Sequence, residues 1–524
     1  MNSSEIIIHQ NGELQNASKH ENEDIDFQNS SLSIETFGGR VHVEWDPQAA
    51  VTPLGQFPFF IEFLKISGLL SSWIEDCPLQ LTSPNAPSKR DILGTLLLSI
   101  LAGHTRYAHI TTIRCDGVNP GLLGMNNVIS EDSMRRSLLK IPEKEGIEWL
   151  QKYLKKCYEP LLSVPWILDV DTTVKVLYGK QEGAVVGYNP KKPGRPAHIY
   201  HSFFIGNLRL ALDVDVQAGN QMSSSFTASE LWSLLERIPR NRWPKFLRGD
   251  CGFGTDGVMN AAEEKRLPYL FKLKRTANVK RLISEMTLSS QSWTTAGQGW
   301  EGREELLQLN GWKKCRRVIV LRKPLKKKAI VTPEQAQVKQ LVLDLGMACV
   351  DKKTEYDYAV LITSLSDEIL TIAQHYRDRA DCENVFDELK NQWGWGGFVT
   401  QDLARCQLLS RAVALIYNWW NLYSRLADPD KHLEAKTSRP LLLYAVAKQT
   451  THAGQAHLKV TSTHGRIDKV KKLLGRITSF FKSLKDNAEQ LTEEECWYCI
   501  LSKALEKYLN GLVLKPPILL SGMG

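Results

Sequence analysis

The sequence predicts an α/β protein: a mixed β-sheet core, interrupted by a mainly β insertion and flanked by helical regions on both sides. Three observations predict that class. Between residues 164 and 274, short apolar strands and amphipathic helices follow in the order three strands, helix, strand, helix, strand. Residues 40–160 and 396–524 repeat apolar side chains at helical spacing, with caps and breaks between the runs. Residues 275–355 bring tryptophans and basic residues into alternating runs such as Arg317-Val-Ile-Val-Leu-Arg322. A chain of 524 residues, 43% hydrophobic, can bury a core of that size and is long enough for about three domains.

The net charge of +8, from 66 Lys and Arg against 58 Asp and Glu, is a mild basic balance that suits a polyanionic partner without naming one. Ten scattered cysteines exclude a secreted disulfide framework. The one Cys-x-x-Cys, Cys496 to Cys499, has no second pair at zinc spacing and reads as packing. The start of the sequence shows no basic, apolar, cleavable leader, and no apolar run reaches the roughly 18–20 residues of a membrane span. A soluble protein of a reducing cytoplasm, with no membrane partner, is expected.

Residues 1–38 are polar, with Ile6 to Ile8 as the only apolar cluster before the thirties, and read as a disordered or loose arm. A helical region, 39–160, follows. Residues 57–70 read as one helix. Ser88 caps a strong helix over 89–102, residues 106–114 form another, and Ser130 caps one that carries Arg135 and Arg136. Such short helices suit either a helix-turn-helix reader of DNA or an ordinary helical subdomain.

The first part of the core spans 161–274. Its opening strand, 164–176, turns Leu168 and Val170 to one face and Asp169 and Asp171 to the other. A basic turn with Lys191, Lys192 and Arg195 follows, either a solvated hairpin loop or a grip for phosphate. Strands at 198–206 and 209–216, a helix from Thr227, a strand over 245–253 that breaks at Gly, a helix over 256–266 and a strand over 267–274 complete an RNase H-like order. In that sheet the first and fourth strands are neighbours, about 4.8 Å apart, so Asp171 and Asp250 meet at strand ends. The insertion, 275–355, holds Trp293, Trp300 and Trp312 and a basic loop at 326–328. Trp300 either stacks a flipped base or fills core. The second part of the core is 356–395. Residues 396–524 open with a long helix, 401–426, and continue helical and basic, with possible dimerisation and DNA contacts.

Within 356–395, residues 376–390 contain no Pro or Gly and read as one helix. At about 100° per residue, Tyr376, Arg379, Glu383 and Lys390 fall in one stripe about 60° wide, with Val385, Phe386 and Leu389 turned to the core. A carboxylate set among cations and a phenol suits a phosphate backbone with a metal ion beside it, although a solvated charged face has the same appearance.

The spacing Tyr-x2-Arg-x3-Glu-x6-Lys resembles the Tyr-Arg-Glu-Lys signature of DDE-class insertion-sequence transposases, at all four positions. The strand Asp171-Thr-Thr and the segment Arg248-Gly-Asp-Cys-Gly-Phe253 agree in order, and Gln181-Glu-Gly-Ala and Gly187-Tyr-Asn-Pro resemble the 1380 family of insertion sequences. Asn384 departs from relatives that carry a second acid there. The resemblance implies a catalytic and metal-binding triad of Asp171, Asp250 and Glu383, holding Mg2+ (or Mn2+). Asp171 is preferred to Asp169 because the family's first Asp precedes Thr. Two metal ions about 3.5–4 Å apart would serve the attacking and leaving oxygens. The resemblance further implies binding of terminal inverted repeats, pairing of ends by a dimer, cleavage, and joining of 3′-OH ends to target double-stranded DNA in the bacterial nucleoid. Tyr376, Arg379 and Lys390 would hold phosphates near the cut. A transposase-derived DNA-binding regulator without catalysis and a metal-dependent nuclease of the same fold are the rival readings.

Overall fold

A computed structural model describes residues 32–46, 48–190, 192–221, 224–325, 355–463, 465–487 and 491–516. Lys191, the basic loop at 326–328 and the Ile6 to Ile8 cluster lie outside the described residues. The chain divides into two compact units, 1–50 and 51–524.

The first unit holds an antiparallel hairpin, β1 (Leu32–Thr36) with β2 (Gly39–Val43). It crosses the boundary at which the sequence predicts a loose arm to end. Alternation explains it: Leu32, Ile34, Val41 and Val43 share one face and Ser33, Glu35, Arg40 and His42 the other. Gly39, at φ 110°, closes the turn in a conformation that other residues rarely adopt.

The second unit opens with the short strand β3 (Val51–Thr52) and a helical layer. That layer comprises α1 (Phe57–Ile66), α2 (Leu69–Glu75), α3 (Lys89–Leu101), α4 (Ile110–Ile113), α5 (Asn119–Leu122), α6 (Glu131–Leu139) and α7 (Glu143–Tyr158). The single helix expected over 57–70 is broken, because Gly68 at φ 63° turns the chain left-handed between α1 and α2. The helix expected over 106–114 is one 3₁₀ turn followed by the four-residue α4. Ser88 and Ser130 do cap α3 and α6, and Ser88 forms a reciprocal capping box with Asp91.

The core sheet is built from β4 (Ile167–Val176), β5 (Val185–Val186), β6 (Pro196–Ile205), β7 (Leu210–Ala218), then α8 (Ser224–Glu236), β8 (Phe246–Gly249), α9 (Asp256–Glu264) and β9 (Tyr269–Lys272). This is the order that the sequence predicts, with one addition: the two-residue strand β5, which lies in the connection read between the first two strands. The insertion starts with a helix that the sequence reading omits, α10 (Ala277–Leu288), whose buried Val279, Leu282 and Met286 lie at helical spacing among polar residues. Strands β10 (Thr294–Gly297), β11 (Trp300–Leu307), β12 (Arg316–Pro324) and β13 (Tyr356–Thr363) follow. They form no separate sheet. The order β10-β11-β12-β13-β9-β8-β4-β6, with β5 and β7 paired to β6, makes one mixed sheet of ten strands, parallel at β4–β8 and β8–β9.

The chain closes with α11 (Ile369–Arg377), α12 (Ala380–Gln392), α13 (Leu403–Ala427), α14 (Ala435–Leu442), the hairpin β14 (Ala447–His452) and β15 (Gln455–Val460), α15 (Ile467–Asp486) and α16 (Glu493–Ala504). The hairpin corrects the all-helical reading of this region. Ala453 and Gly454, both at positive φ, form the two-residue turn that twisted strands favour. The long helix α13 is buried almost all round rather than amphipathic, and α7, α15 and α16 pack on it. It also completes the sheet edge. The amide of Asn418 accepts the N–H of Ala211 (2.9 Å) and donates to its C=O (2.8 Å), and Gln407 does the same at Val216 (3.1 and 2.8 Å). Two side chains thus stand in for a missing neighbour of β7.

Candidate active site

The parallel register of β4 and β8 sets Val170 against Gly249, which brings the next residues, Asp171 and Asp250, side by side. Each carboxylate is held by its own backbone. The N–H of Thr172 donates to Asp171 Oδ1 (2.7 Å) and that of Gly252 to Asp250 Oδ1 (2.8 Å). A Cβ on Gly252 would stand 3.0 Å from that oxygen, so glycine lets the backbone approach.

The third acid arrives differently from the sequence expectation. Residues 376–390 are not one helix, since α11 ends at Arg377 and α12 begins at Ala380. In the break, N–H groups bond carbonyls three residues back, Arg379 to Tyr376 (3.2 Å) and Cys382 to Arg379 (2.9 Å). The tightened turn rotates Arg379 inward, where it is 4% exposed, while Glu383 stays exposed in the first turn of α12. The Arg379 guanidinium donates to Glu383 Oε1 (2.7 Å) and to Asp171 Oδ2. It therefore sits between two of the three acids. In this conformation Arg379 is a buried counter-ion rather than part of a surface stripe open to DNA.

Lys390 is likewise engaged. Its ammonium donates to Thr173 Oγ1 and to the C=O of Val174, both at 2.8 Å, and so ties α12 to β4. Two residues further along the same face of β4, buried Lys175 donates to the C=O of Gly397 and to Tyr200 Oη (3.3 Å). Asp171, Thr173 and Lys175 alternate along one strand face, and each meets a group from residues 379–397. The sequence reading gives Thr173 and Lys175 no role of their own, although their i+2 and i+4 spacing from Asp171 is the signal that finds them.

Burial pushes the Asp171 carboxyl up to about 7; Arg379 opposes the rise, and Asp250 and Glu383 add to it. The half-buried Tyr376 phenol is raised, first by burial, and feels Arg379, Asp250 and Glu383. Cys251 Sγ lies 4.0 Å from Asp250 Oδ2, and Lys272 and Lys274 act on that thiol electrostatically.

Asp169, the rival acid, is accounted for. Arg248 binds it through two bonds, 2.5 Å to Oδ1 and 2.7 Å to Oδ2, with both side chains at most 1% exposed. It is a neutralised structural pair outside the acid cluster.

The remaining sequence candidates lie elsewhere. Lys192 and Arg195 flank the exposed Tyr178 ring at 5.1 and 5.6 Å. Gly187 is required in that turn, because a Cβ would stand 1.9 Å from the C=O of Gly219. Arg135 is half-buried over the Tyr107 ring (4.4 Å), and Arg136 is exposed. Trp300 is half-buried against the apolar cluster of Phe246, Ala296 and Leu321, with Lys323 5.9 Å from its ring. Trp293 carries Arg322 at 4.0 Å, and Trp312 carries Arg316 at 5.4 Å, so the tryptophans of the insertion serve cation–π packing.

Among the described residues, no three His, Cys, Asp or Glu side chains stand together closely enough to hold a metal ion. In kind the donors suit a hard cation, two carboxylates on adjoining strands and one on a neighbouring helix; burial first, and the two other acids after it, raise Asp171. The space between Asp171 and Glu383 is filled by a positive group, Arg379.

No single helix among the described residues is long and apolar enough to cross a membrane. No curated protein matches the chain. Among solved structures it is similar to a piggyBac transposase in a synaptic complex with hairpin DNA, at 11% identity and a TM-score of 0.38, over 89% of this chain and 87% of that one. The family described as transposase DDE domain, group 1, matches residues 64–481, about four-fifths of the chain. With a match of that extent, the chain belongs to the DDE transposases.

Proposed function

We propose that Asp171, Asp250 and Glu383 are the acids through which this transposase cuts and joins DNA, and that its substrate is the terminal inverted repeats of an insertion sequence of the 1380 family. The observation that carries the reading is the juxtaposition of Asp171 and Asp250 at adjoining parallel strands, with Glu383 joined to Asp171 through Arg379. Mg2+ held by these carboxylates would supply the Lewis-acid chemistry of phosphoryl transfer. The chain's own groups do the rest. Lys390 fixes α12 on β4 and so sets the height of Glu383 above the strand. Tyr376 would add a phenol that suits phosphate oxygens, and Lys272 and Lys274 would add positive charge on the side of Cys251. Lys192, Arg195, Arg135 and Arg136 offer further grips on the DNA backbone, and a dimer pairs the two ends. Lys191 and Trp300 are weaker candidates: the first lies outside the described residues and the second packs against the core.

The test uses linear DNA carrying the element's own ends. Asp171→Ala, Asp250→Ala and Glu383→Ala are each expected to abolish cleavage and strand joining, and to leave binding of end DNA within a few-fold of wild type. EDTA should stop the wild-type reaction, and Mg2+ should restore it. Cleavage retained by any one variant removes that residue from the triad.

A further inference from the structure

The chain's excess positive charge is not spread over the molecule. Residues 447–485 carry nine Lys and Arg against a single acid, Asp468, a net charge of +8. The whole chain has 66 basic and 58 acidic residues, so 57 of each sign remain outside that segment. One hairpin and one helix therefore hold a charge equal to that of the entire protein.

The structure turns these residues outward. Helix α15 buries Val470, Leu473, Ile477, Phe481 and Leu484 against α1, α13 and α14. Lys469, Lys472 and Arg476, at i, i+3 and i+7, share one exposed flank, and Lys471 and Lys482 lie on the other. In the hairpin, Lys448 stands directly opposite Lys459, and both are exposed. Like charges facing across a strand pair destabilise it. Among the described residues, Lys448, Lys459, Lys469, Lys471, Lys472 and Lys482 make no ion pair, whereas Lys485 binds Glu62. The hairpin and helix adjoin: a cavity of about 460 Å³ is lined by Val460, Thr461, Ser462 and Thr463 on one side and Ile467 and Lys471 on the other. The hydroxyls at 461–463 add neutral donors of the kind that meet phosphate. These strands belong to the three-stranded sheet β15-β14-β3, separate from the sheet that carries Asp171 and Asp250.

We propose that the β14–β15 hairpin and α15 form a second surface for duplex DNA, one that grips phosphates and does not read bases. The inference rests on the reading of the chain as a DNA-cutting transposase and adds to it a place for DNA away from the acid cluster. Opposed lysines with no acid among them are relieved by a polyanion, which also releases its condensed counter-ions on binding.

Fluorescence anisotropy on the full chain tests it, with one duplex carrying the element's end and one of unrelated sequence, across a range of salt. K448Q, K459Q, K469Q and K472Q combined should weaken both duplexes by the same factor, roughly tenfold or more near physiological salt, and flatten the log–log salt slope by about 0.9 for each phosphate no longer neutralised. The matching four Lys→Arg changes should restore affinity. If the combined variant melts early, the hairpin pair and the helix pair are measured separately, and each should remove about half of the slope. An unchanged slope overturns the inference, as does a weakening confined to the end duplex. Wild-type protein that binds neither duplex would instead overturn the functional reading on which this one rests.

Discussion

Arg379 is a built-in cation placed between two carboxylates. A guanidinium and a divalent ion cannot share the gap between Asp171 and Glu383, so a metal ion bound there would have to displace Arg379. Arg379→Ala is expected to lower the Mn2+ concentration needed for half-saturation several-fold, measured by calorimetry without DNA. An unchanged value would mean that the two cations do not compete. Cleavage by this variant should still fall, because the Glu383 carboxylate then loses its tie to Asp171. Asp169 invites the opposite error. It looks like a harmless control for Asp171, two residues away on the same strand, but Asp169→Ala leaves Arg248 buried and unpaired. That should cost about 3–5 kcal/mol in urea unfolding, and a loss under about 1 kcal/mol would show that the pair is dispensable. Nothing in the sequence distinguishes these acids except the Thr after Asp171; the structure distinguishes them by their partners.

At the scale of elements, β4 acts through one face, with Asp171 at the acid cluster and Lys175 at the loop that follows α12. Burial brings the Lys175 ammonium down to about 8 from its ordinary 10.5. Between those values the unfolded chain holds a proton that the folded chain does not, so this group adds stability as pH rises from about 8 to 10.5. The urea midpoint of wild type relative to Lys175→Met should therefore rise from pH 8 to pH 10, and a constant difference would return Lys175 to an ordinary ammonium. Regular strands and capped helices were legible in the sequence because their periods and caps are local: the β4-to-β9 order, Ser88, Ser130 and the buried Val385, Phe386 and Leu389 all follow from spacing. Features decided by a few dihedrals or by distant partners were not. The breaks at Gly68 and at residues 378–379 lie within otherwise helical runs. The β14–β15 turn lacks Asn or Asp before its Gly. The insertion strands join the core sheet through β13 and β9, a pairing that no local pattern encodes.

Across the whole molecule, the acid cluster is supported from both ends of the chain. Helix α13 receives α7 from the N-terminal layer and α15 and α16 from the C-terminal one, and its Trp419 and Trp420 are buried in the same apolar core as Phe60 and Trp73. Residues 51–160 therefore share an apolar core with α13 and with much of the sheet, and so do α14 to α16, while a second cluster around Phe246, Leu270 and Ile319 lies apart from it. The hairpin β1–β2 belongs to the other unit. Two truncations separate these cases. Removing residues 1–46 should leave a single cooperative thermal transition within a few degrees of wild type, because the second unit keeps its core. Ending the chain at residue 430 strips α14, α15 and α16 from α1 and α13 and bares Phe60, Phe63 and Tyr423, whose ring neighbours include Trp497. Losing several buried aromatics at about 3–5 kcal/mol each exceeds the stability of a typical domain. That chain should show no cooperative transition and should aggregate. A cooperative melt from it would mean that the C-terminal helices form a core of their own, and the account of a core shared by α1, α13 and α16 would have to be withdrawn.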